Sequence, residues 1–350
     1  IVLNHMVKDL LAEQAEGRFD AAFVAIGAGL SKNIDIPSMD ASRLVDAVTF
    51  LHEVAAGERP VVGRRVAVYG GGNTAMDAAR VARRLGAEES IVIYRRTETQ
   101  MPAHEEEREE AKREGVDMRW LRTIQEVDKE GVKVEIMALD EQGKAVGTGR
   151  FETLEADTVI LAVGQEADSG FLRRIPGLHF ADDVVRVDPL TLMTDVPGIF
   201  AGGDVVPSDR TVTIAVGHGK RAARMVDAWL YSRHPSAHVK HPLVKFDMLH
   251  LWYFGDHDRR KQSELAVADR TGFEEIVRGL SPDEAAYEAT RCLSCGNCIE
   301  CDGCLGACPE DAVVKLGKGL RYRYNYQKCT GCAACYEQCP VHAIDMIPEH

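Results

Sequence analysis

All ten cysteines of this 350-residue chain lie after residue 291, and eight of them repeat one pattern. Cys298, Cys301, Cys304 and Cys308 read C-x2-C-x2-C-x3-C-P, closed by Pro309. Cys329, Cys332, Cys335 and Cys339 read the same way, closed by Pro340, each 31 residues after its counterpart. This is the ligand spacing of two [4Fe–4S] cubes. Three cysteines in a tight loop reach three irons of one cube, and the fourth, before the proline, stands beyond the loop and ligates the other. The pattern assigns Cys298, Cys301, Cys304 and Cys339 to cluster 1 and Cys308, Cys329, Cys332 and Cys335 to cluster 2. Zinc sites use paired C-x2-C hooks without the C-P ending. Cysteines confined to one end do not suit a secreted disulfide scaffold. Cys292 and Cys295 extend the first run upstream as RCLSCGNC. They stand as ligands in a shifted frame, ligands to something else, or bystanders; the frame ending in C-P is preferred because it has an internal copy.

At this length two or three domains are expected. The formal net charge of −13 argues against nucleic acid or an anionic membrane as the main partner. No apolar run approaches the roughly 18 residues of a membrane span, and the first residues, IVLNHMVKDL, do not read as a signal peptide. Clustered thiols point to a reducing, cytoplasmic setting.

A second anchor lies at residues 64–75. The apolar run RRVAVY ends at Gly70, Gly71, Gly72, Asn73, Thr74 and Ala75, and a helical pattern, MDAARVARRLG, follows. This is G-x-G-x-x-A at a strand-to-helix turn. The first glycine permits the turn, the second lets a pyrophosphate approach the backbone, and Ala75 allows close packing of helix on strand. The helix N-terminus offers unpaired N–H groups to the phosphates. The next strand, SIVIYRR, ends in Arg95 and Arg96 where an NAD site would carry a carboxylate. Two guanidinium groups suit a 2′-phosphate, so NADPH is favoured over NADH. Residues 104–114 (HEEEREEAKRE) read as an exposed helix, and residues 132–157 as a β-meander.

Two further segments, FDAAFVAIGA (19–28) and DTVILAVGQ (157–165), read as buried strands ending at Gly27 and Gly164. Gly164 is placed with the nicotinamide nucleotide, and Ala25 and Gly27 with FAD. VPGIFAGGDVV (196–206) is a strand ending at Gly203 and Asp204, whose carboxylate can take a ribityl hydroxyl. Thr211, Val212 and Thr213 open a helix whose N-terminus can face a flavin pyrimidine edge. His218, within VGHGK of that helix, is the one histidine singled out as a flavin contact to test.

The runs GGGNTAMD (70–77), YRRTETQMPA (94–103), DTVILAVGQEAD (157–168), GIFAGGDVV (198–206) and EATRCLSCG (288–296) together resemble the small (β) subunit of NADPH-dependent glutamate synthase and its relatives. The resemblance covers nearly the whole chain. It implies an α/β flavoprotein of two dinucleotide-binding domains, an NAD(P) Rossmann-like domain inserted in an FAD domain. A small α+β bacterial-type 2[4Fe–4S] ferredoxin domain is added. The expected division is residues 1–60 and 165–232 for FAD, 61–164 for NAD(P)H with the meander, 233–285 for a linker, and 286–350 for the ferredoxin domain. The family's first FAD element would precede residue 1, so the chain reads as a fragment holding an FAD half-site. The cluster module follows the flavoprotein part here and precedes it in the glutamate synthase subunit.

The implied role is an electron conduit between NADPH, FAD and the clusters, with no acid–base residue required and flow possible in either direction. No cysteine lies between residues 1 and 291, which excludes a flavin-linked dithiol. The implied partner is a glutamate synthase large subunit or a thiamine-dependent 2-oxoacid oxidoreductase. The competing reading is a non-catalytic ferredoxin-type carrier or assembly module. The aromatic stretch MLHLWYF (248–254) is expected to pack on the flavoprotein body.

Overall fold

In the computed structural model, which describes residues 1–32, 34–38, 44–129, 131–233 and 243–348, the apolar runs form short strands that alternate with helices. The His- and Pro-rich start of the expected linker, HPSAHVKHP (234–242), lies outside the described residues. In chain order the first elements are α1 (Leu10–Ala15), β1 (Ala22–Val24), β2 (Leu30–Ser31), β3 (Leu44–Asp46), α2 (Ala47–Ala55), β4 (Arg65–Gly70), α3 (Asn73–Arg84) and β5 (Glu89–Tyr94). There follow α4 (Glu105–Arg113), β6 (Val116–Trp120), β7 (Arg122–Val127), β8 (Val132–Leu139), β9 (Ala145–Leu154), β10 (Thr158–Ala162) and β11 (Gln165–Glu166). Then come β12 (Phe180–Ala181), β13 (Val184–Val185), β14 (Ile199–Ala201), α5 (Val212–Leu230), α6 (Pro282–Thr290), α7 (Gly303–Ala307), β15 (Val313–Gly317), β16 (Arg321–Tyr324) and α8 (Ala334–Glu337). Two units divide them: Ile1–Ser236 with Ala266–Glu274, and Ala237–Leu265 with Glu275–His350.

The first unit is organised by a five-stranded parallel sheet in the order β3-β10-β4-β5-β6. Its inner strands are near-continuous apolar runs because both faces are covered. Val66 and Val68 of β4 join Phe50 of α2 and Met76, Ala78, Ala79 and Ala82 of α3 in one core. The intervening Ala67 joins Ile93, Val127, Val132, Val134 and Val159 in another. That alternation is the period-two pleat of a strand. Each large side chain so buried contributes about 1.5–3 kcal/mol.

The meander is the antiparallel set β7-β8-β9. It starts ten residues earlier than expected. Leu121, at φ 54°, reverses the chain out of β6 and straight into β7, and no glycine or proline marks that reversal. A separate parallel pair, β1 with β14, aligns Val24 with Ala201 over a core that includes Leu172, Ile199 and Val205. The buried strand expected over 19–28 is only three residues long, and its Phe23 is exposed.

The charged run 104–114 is helical as α4, but it is not a purely exposed face. Ala111 is buried, and the carboxylates converge on Arg80 of α3, whose side chain is 9% exposed. Arg80 meets Glu107 at 3.0 Å, Glu110 at 2.6 Å and Glu114 at 2.9 Å. Glu114 also accepts from Arg84 at 3.2 Å and from Arg270 at 3.0 Å. The segment Ala266–Glu274 is thereby tied to this unit. The small side chains on the buried face of α3 bring α4 close, and an arginine caught there has to be neutralised.

In the second unit Ser281 caps α6. Its Oγ accepts from Glu284 N, and the Glu284 carboxylate accepts from Ser281 N at 2.9 Å. The aromatic stretch also makes contacts within this unit. His250 N donates to Pro340 O at 3.1 Å, and the His250 ring stacks on Trp252 and meets His342 edge-on. Among the described residues no helix is long and apolar enough to cross a membrane.

Burial alone would raise the Glu114 carboxyl, but hydrogen bonds from Arg80 and Arg270 together outweigh it and hold the group below the usual carboxylate range. Its stabilisation is therefore complete above the unfolded-state value of about 4.3 and lost as pH falls through the lower folded value. Glu114→Gln, which leaves buried guanidinium charge uncompensated, should cost about 3 kcal/mol at neutral pH. Urea unfolding checks this, and the gap between parent and variant should close on acidification.

Candidate nucleotide and iron–sulfur sites

The parallel sheet sends the carboxyl ends of β4, β5 and β10 to one edge, where ligands of open α/β sheets bind. A cavity of about 470 Å³ opens there, lined among others by Gly70, Gly71, Gly72, Thr74, Tyr94, Arg95, Arg96 and Gly164. Each glycine has its own reason. A Cβ on Gly70 would stand 2.2 Å from Ala162 O of the neighbouring strand. One on Gly71 would stand 2.3 Å from the Tyr94 ring, while one on Gly72 would meet nothing within 4 Å. Gly72 is the N-cap of α3, with no side-chain cap and no acidic residue in the first turn. An uncapped helix N-terminus facing open space fits a diphosphate. Ala75 is fully buried against the sheet, and Asn73 turns to structure, its Oδ1 accepting from His104 N at 2.9 Å.

Arg95 and Arg96 are exposed at the cavity rim. Tyr94 lines the same cavity; its ring meets Trp120 edge-on and its hydroxyl donates to Gln100 O at 2.9 Å. Sequence reasoning passed over Tyr94, whose role shows only through its contact with Gly71. It also passed over Ser31 and Gln165, paired through β2 and β11 at the cavity mouth.

The residues assigned to FAD gather at the carboxyl ends of β1 and β14. Gly202 N donates to Val24 O at 3.1 Å, so Ala25 and Gly203 leave the two strands side by side. Gly27 and Gly203 take positive φ, 68° and 75°. Thr211 caps α5, its Oγ accepting from Ile214 N at 3.3 Å. Ala25, Thr211, Val212 and Thr213 are exposed and Asp204 half-buried, which makes an open rim. His218 Nδ1 accepts from Gly203 N at 3.1 Å. Burial, and after it the charge of Arg221, lowers this imidazole, which favours the neutral ring that such a bond requires. The histidine thus holds the turn that carries Asp204.

The cysteine runs repeat in backbone as well as in sequence. Glu300, Asp302 and Asp311 have φ of 56°, 62° and 48°; 31 residues on, Gly331, Ala333 and His342 have 69°, 61° and 49°. Ala312 N donates to Cys308 Sγ at 3.2 Å, and Ala343 N to Cys339 Sγ at 3.2 Å. The third cysteine of each run opens a short helix, Cys304 in α7 and Cys335 in α8. Burial, reinforced by the thiolates of Cys298, Cys301 and Cys339, pushes the Cys304 thiol up to about 11. Cys335 is raised by burial and then by Cys329 and Cys308. Each run's last cysteine therefore neighbours the other run's triad. Mutually repelling thiols with backbone N–H groups aimed at the Cys308 and Cys339 sulfurs suit an iron–sulfur cube, while among the described residues no three such side chains are already gathered around one metal-sized point. Cys292 and Cys295 are exposed, as are Cys329 and Cys332, but the first two do not figure among the groups that raise Cys304 or Cys335. All ten cysteines are free thiols.

Known proteins with similar sequences accord with this geometry. A 34% identity over 320 residues links the chain to the NADP(+)-dependent formate dehydrogenase subunit beta of Moorella thermoacetica, covering 82% of this chain and 44% of that one. The NADPH-Fe(3+) oxidoreductase subunit beta of Geobacter sulfurreducens is 32% identical over 338 residues, covering 82% and 50%. A putative glutamate synthase [NADPH] small chain of Cereibacter sphaeroides is 33% identical over 248 residues, covering 64% and 60%. The chain thus spans about half the length of the curated relatives it matches. The 4Fe-4S binding domain family matches residues 322–345, around the second cysteine run. The family described as pyridine nucleotide-disulphide oxidoreductase matches residues 2–219, more than half of the chain. That match takes in the sheet, the glycine turn and the cavity they build, and the chain belongs to the pyridine nucleotide-disulphide oxidoreductase family.

Proposed function

We propose that the chain is an electron conduit between NADP(H) and two [4Fe–4S] clusters, with FAD between them, serving a partner subunit. The observation that carries this reading is the cavity at the ends of β4 and β10. There an uncapped helix, open space over Gly72 and two rim guanidinium groups converge. A diphosphate suits the first two, and a 2′-phosphate suits Arg95 and Arg96. NADP(+) and NADPH stand in the names of the relatives, and two of those names denote subunits. That supports both the nucleotide and a redox partner, and the third name favours one of the glutamate synthase kind.

Asn73 and Ala75 support the nucleotide turn from behind, and Gly164 forms part of the cavity wall. Ala25, Gly27, Gly203, Asp204 and Thr211 to Thr213 would face FAD. The first cube would sit on Cys298, Cys301, Cys304 and Cys339, the second on Cys329, Cys332, Cys335 and Cys308. When bound, the nicotinamide and flavin exchange a hydride and the cubes pass single electrons. The chain's own task is placement: it holds phosphates, keeps the glycine turn open and encloses thiolates. A reducing cytoplasm suits ten free thiols. The competing reading, a carrier without nicotinamide chemistry, draws on the open rim at the FAD-facing residues.

Anaerobic reconstitution of the whole chain should load about eight irons. Cys339→Ser should lose about half of them, and Cys292→Ser with Cys295→Ser should lose none; a parent that holds about four would remove one cube from the proposal. Replacing Arg95 and Arg96 by Gln should raise the Kd for NADPH about tenfold or more, with that for NADH moved less than about twofold. Nucleotide fluorescence titration reads both constants. Full iron loading with no nucleotide binding would favour the carrier instead.

A further inference from the structure

A second cavity, of about 400 Å³, shares Arg95 and Arg96 with the first and adds Gln100, Thr123, Met137 and the turn residues Gln142 to Ala145. That turn joins β8 to β9 and belongs to the meander, not to the glycine-turn motif. Its shape is fixed from within. Asp140 Oδ1 accepts from Gln142 N at 3.0 Å and from Lys144 N at 2.8 Å, and Gly143 takes φ 74°. It is also fixed from outside, because Gln100 Nε2 donates to Gly143 O at 3.0 Å. Gln100 O in turn accepts from the Tyr94 hydroxyl, next to Arg95. The turn is thus pinned to the end of β5.

Three cations line this second cavity. Arg64, Arg80, Arg84, Lys112, Arg119 and Arg122 all meet carboxylates. Arg95, Arg96 and Lys144, by contrast, have no ion-pair partner among the described residues, and all three line this one cavity. In a chain of net charge −13, three unmatched cations around one recess make an anion site.

We propose that Lys144 is the third cation of the 2′-phosphate subsite, delivered by the meander, and that Gln100 is the residue that positions it. The proposal rests on the NADP(H) reading above. Arg95 and Arg96 supply planar forks, and the Lys144 ammonium supplies a compact charge from the opposite chain segment. Selection of NADP(H) over NAD(H) then depends on two elements far apart in sequence.

The test uses the whole chain and calorimetric titration with adenosine 2′,5′-bisphosphate and with 5′-AMP, which differ by the phosphate at issue. The parent should prefer the bisphosphate. Lys144→Gln should reduce that preference about threefold to tenfold, and Lys144→Arg should keep most of it. Gln100→Ala should reduce it too, and adding Lys144→Gln should then cost less than it does alone. Lys144 is an exposed turn residue, so its replacement leaves the fold intact. A Lys144→Gln protein with the parent's preference, beside Arg95→Gln and Arg96→Gln proteins that have lost it, would overturn the Lys144 assignment alone. A parent with no preference would overturn the NADP(H) reading and the Lys144 assignment together.

Discussion

At the carboxyl end of β4 two backbones run so close that a single methyl group on Gly70 would lie 2.2 Å from Ala162 O. The nucleotide cavity depends on that approach. It lets β4 leave the sheet beside β10, start α3 at once and present the first turn of that helix to the crevice. Gly71 repeats the constraint on the other side, where the Tyr94 ring fills the space a Cβ would need. Of these three glycines only Gly72 faces free volume.

In the other unit the governing constraint is electrostatic. Thiols drawn into a protein interior lose hydration, and as thiolates they repel one another. Both effects raise Cys304 and Cys335. Iron answers both, since it neutralises the thiolates and fixes their directions. The paired left-handed residues and the paired N–H···S bonds are the backbone's side of that arrangement. Both halves of the duplication carry them at equivalent positions.

Much of this was legible in the residues alone. The inner strands were readable as apolar runs because burial on both faces removes polar alternation. The glycine turn was readable because only glycine tolerates the contacts found at positions 70 and 71. Other features were not legible. The turn from β6 into β7 passes through Leu121, a residue type that announces no reversal. The acidic run of α4 looks solvated in sequence, yet Glu114 lies against Arg80 and against Arg270, which is 156 residues away. The aromatic stretch 248–254 carries no mark of its docking partner, since stacking and a bond to Pro340 are decided by neighbours.

By itself the sequence determined the chemistry on offer: eight thiols at iron–sulfur spacing, a glycine turn between strand and helix, and two arginines at the next strand's end. These are local patterns, and local patterns survive in one dimension because their geometry spans a few residues. The tertiary structure decided which thiols share a neighbourhood, which glycines serve packing and which faces open space, and that Lys144 of a distant hairpin lines the recess of Arg95 and Arg96. Those outcomes turn on distances between segments remote along the chain. Strand order, helix approach and hydrogen bonds such as Gln100 to Gly143 set those distances, and no spacing of residue types encodes them.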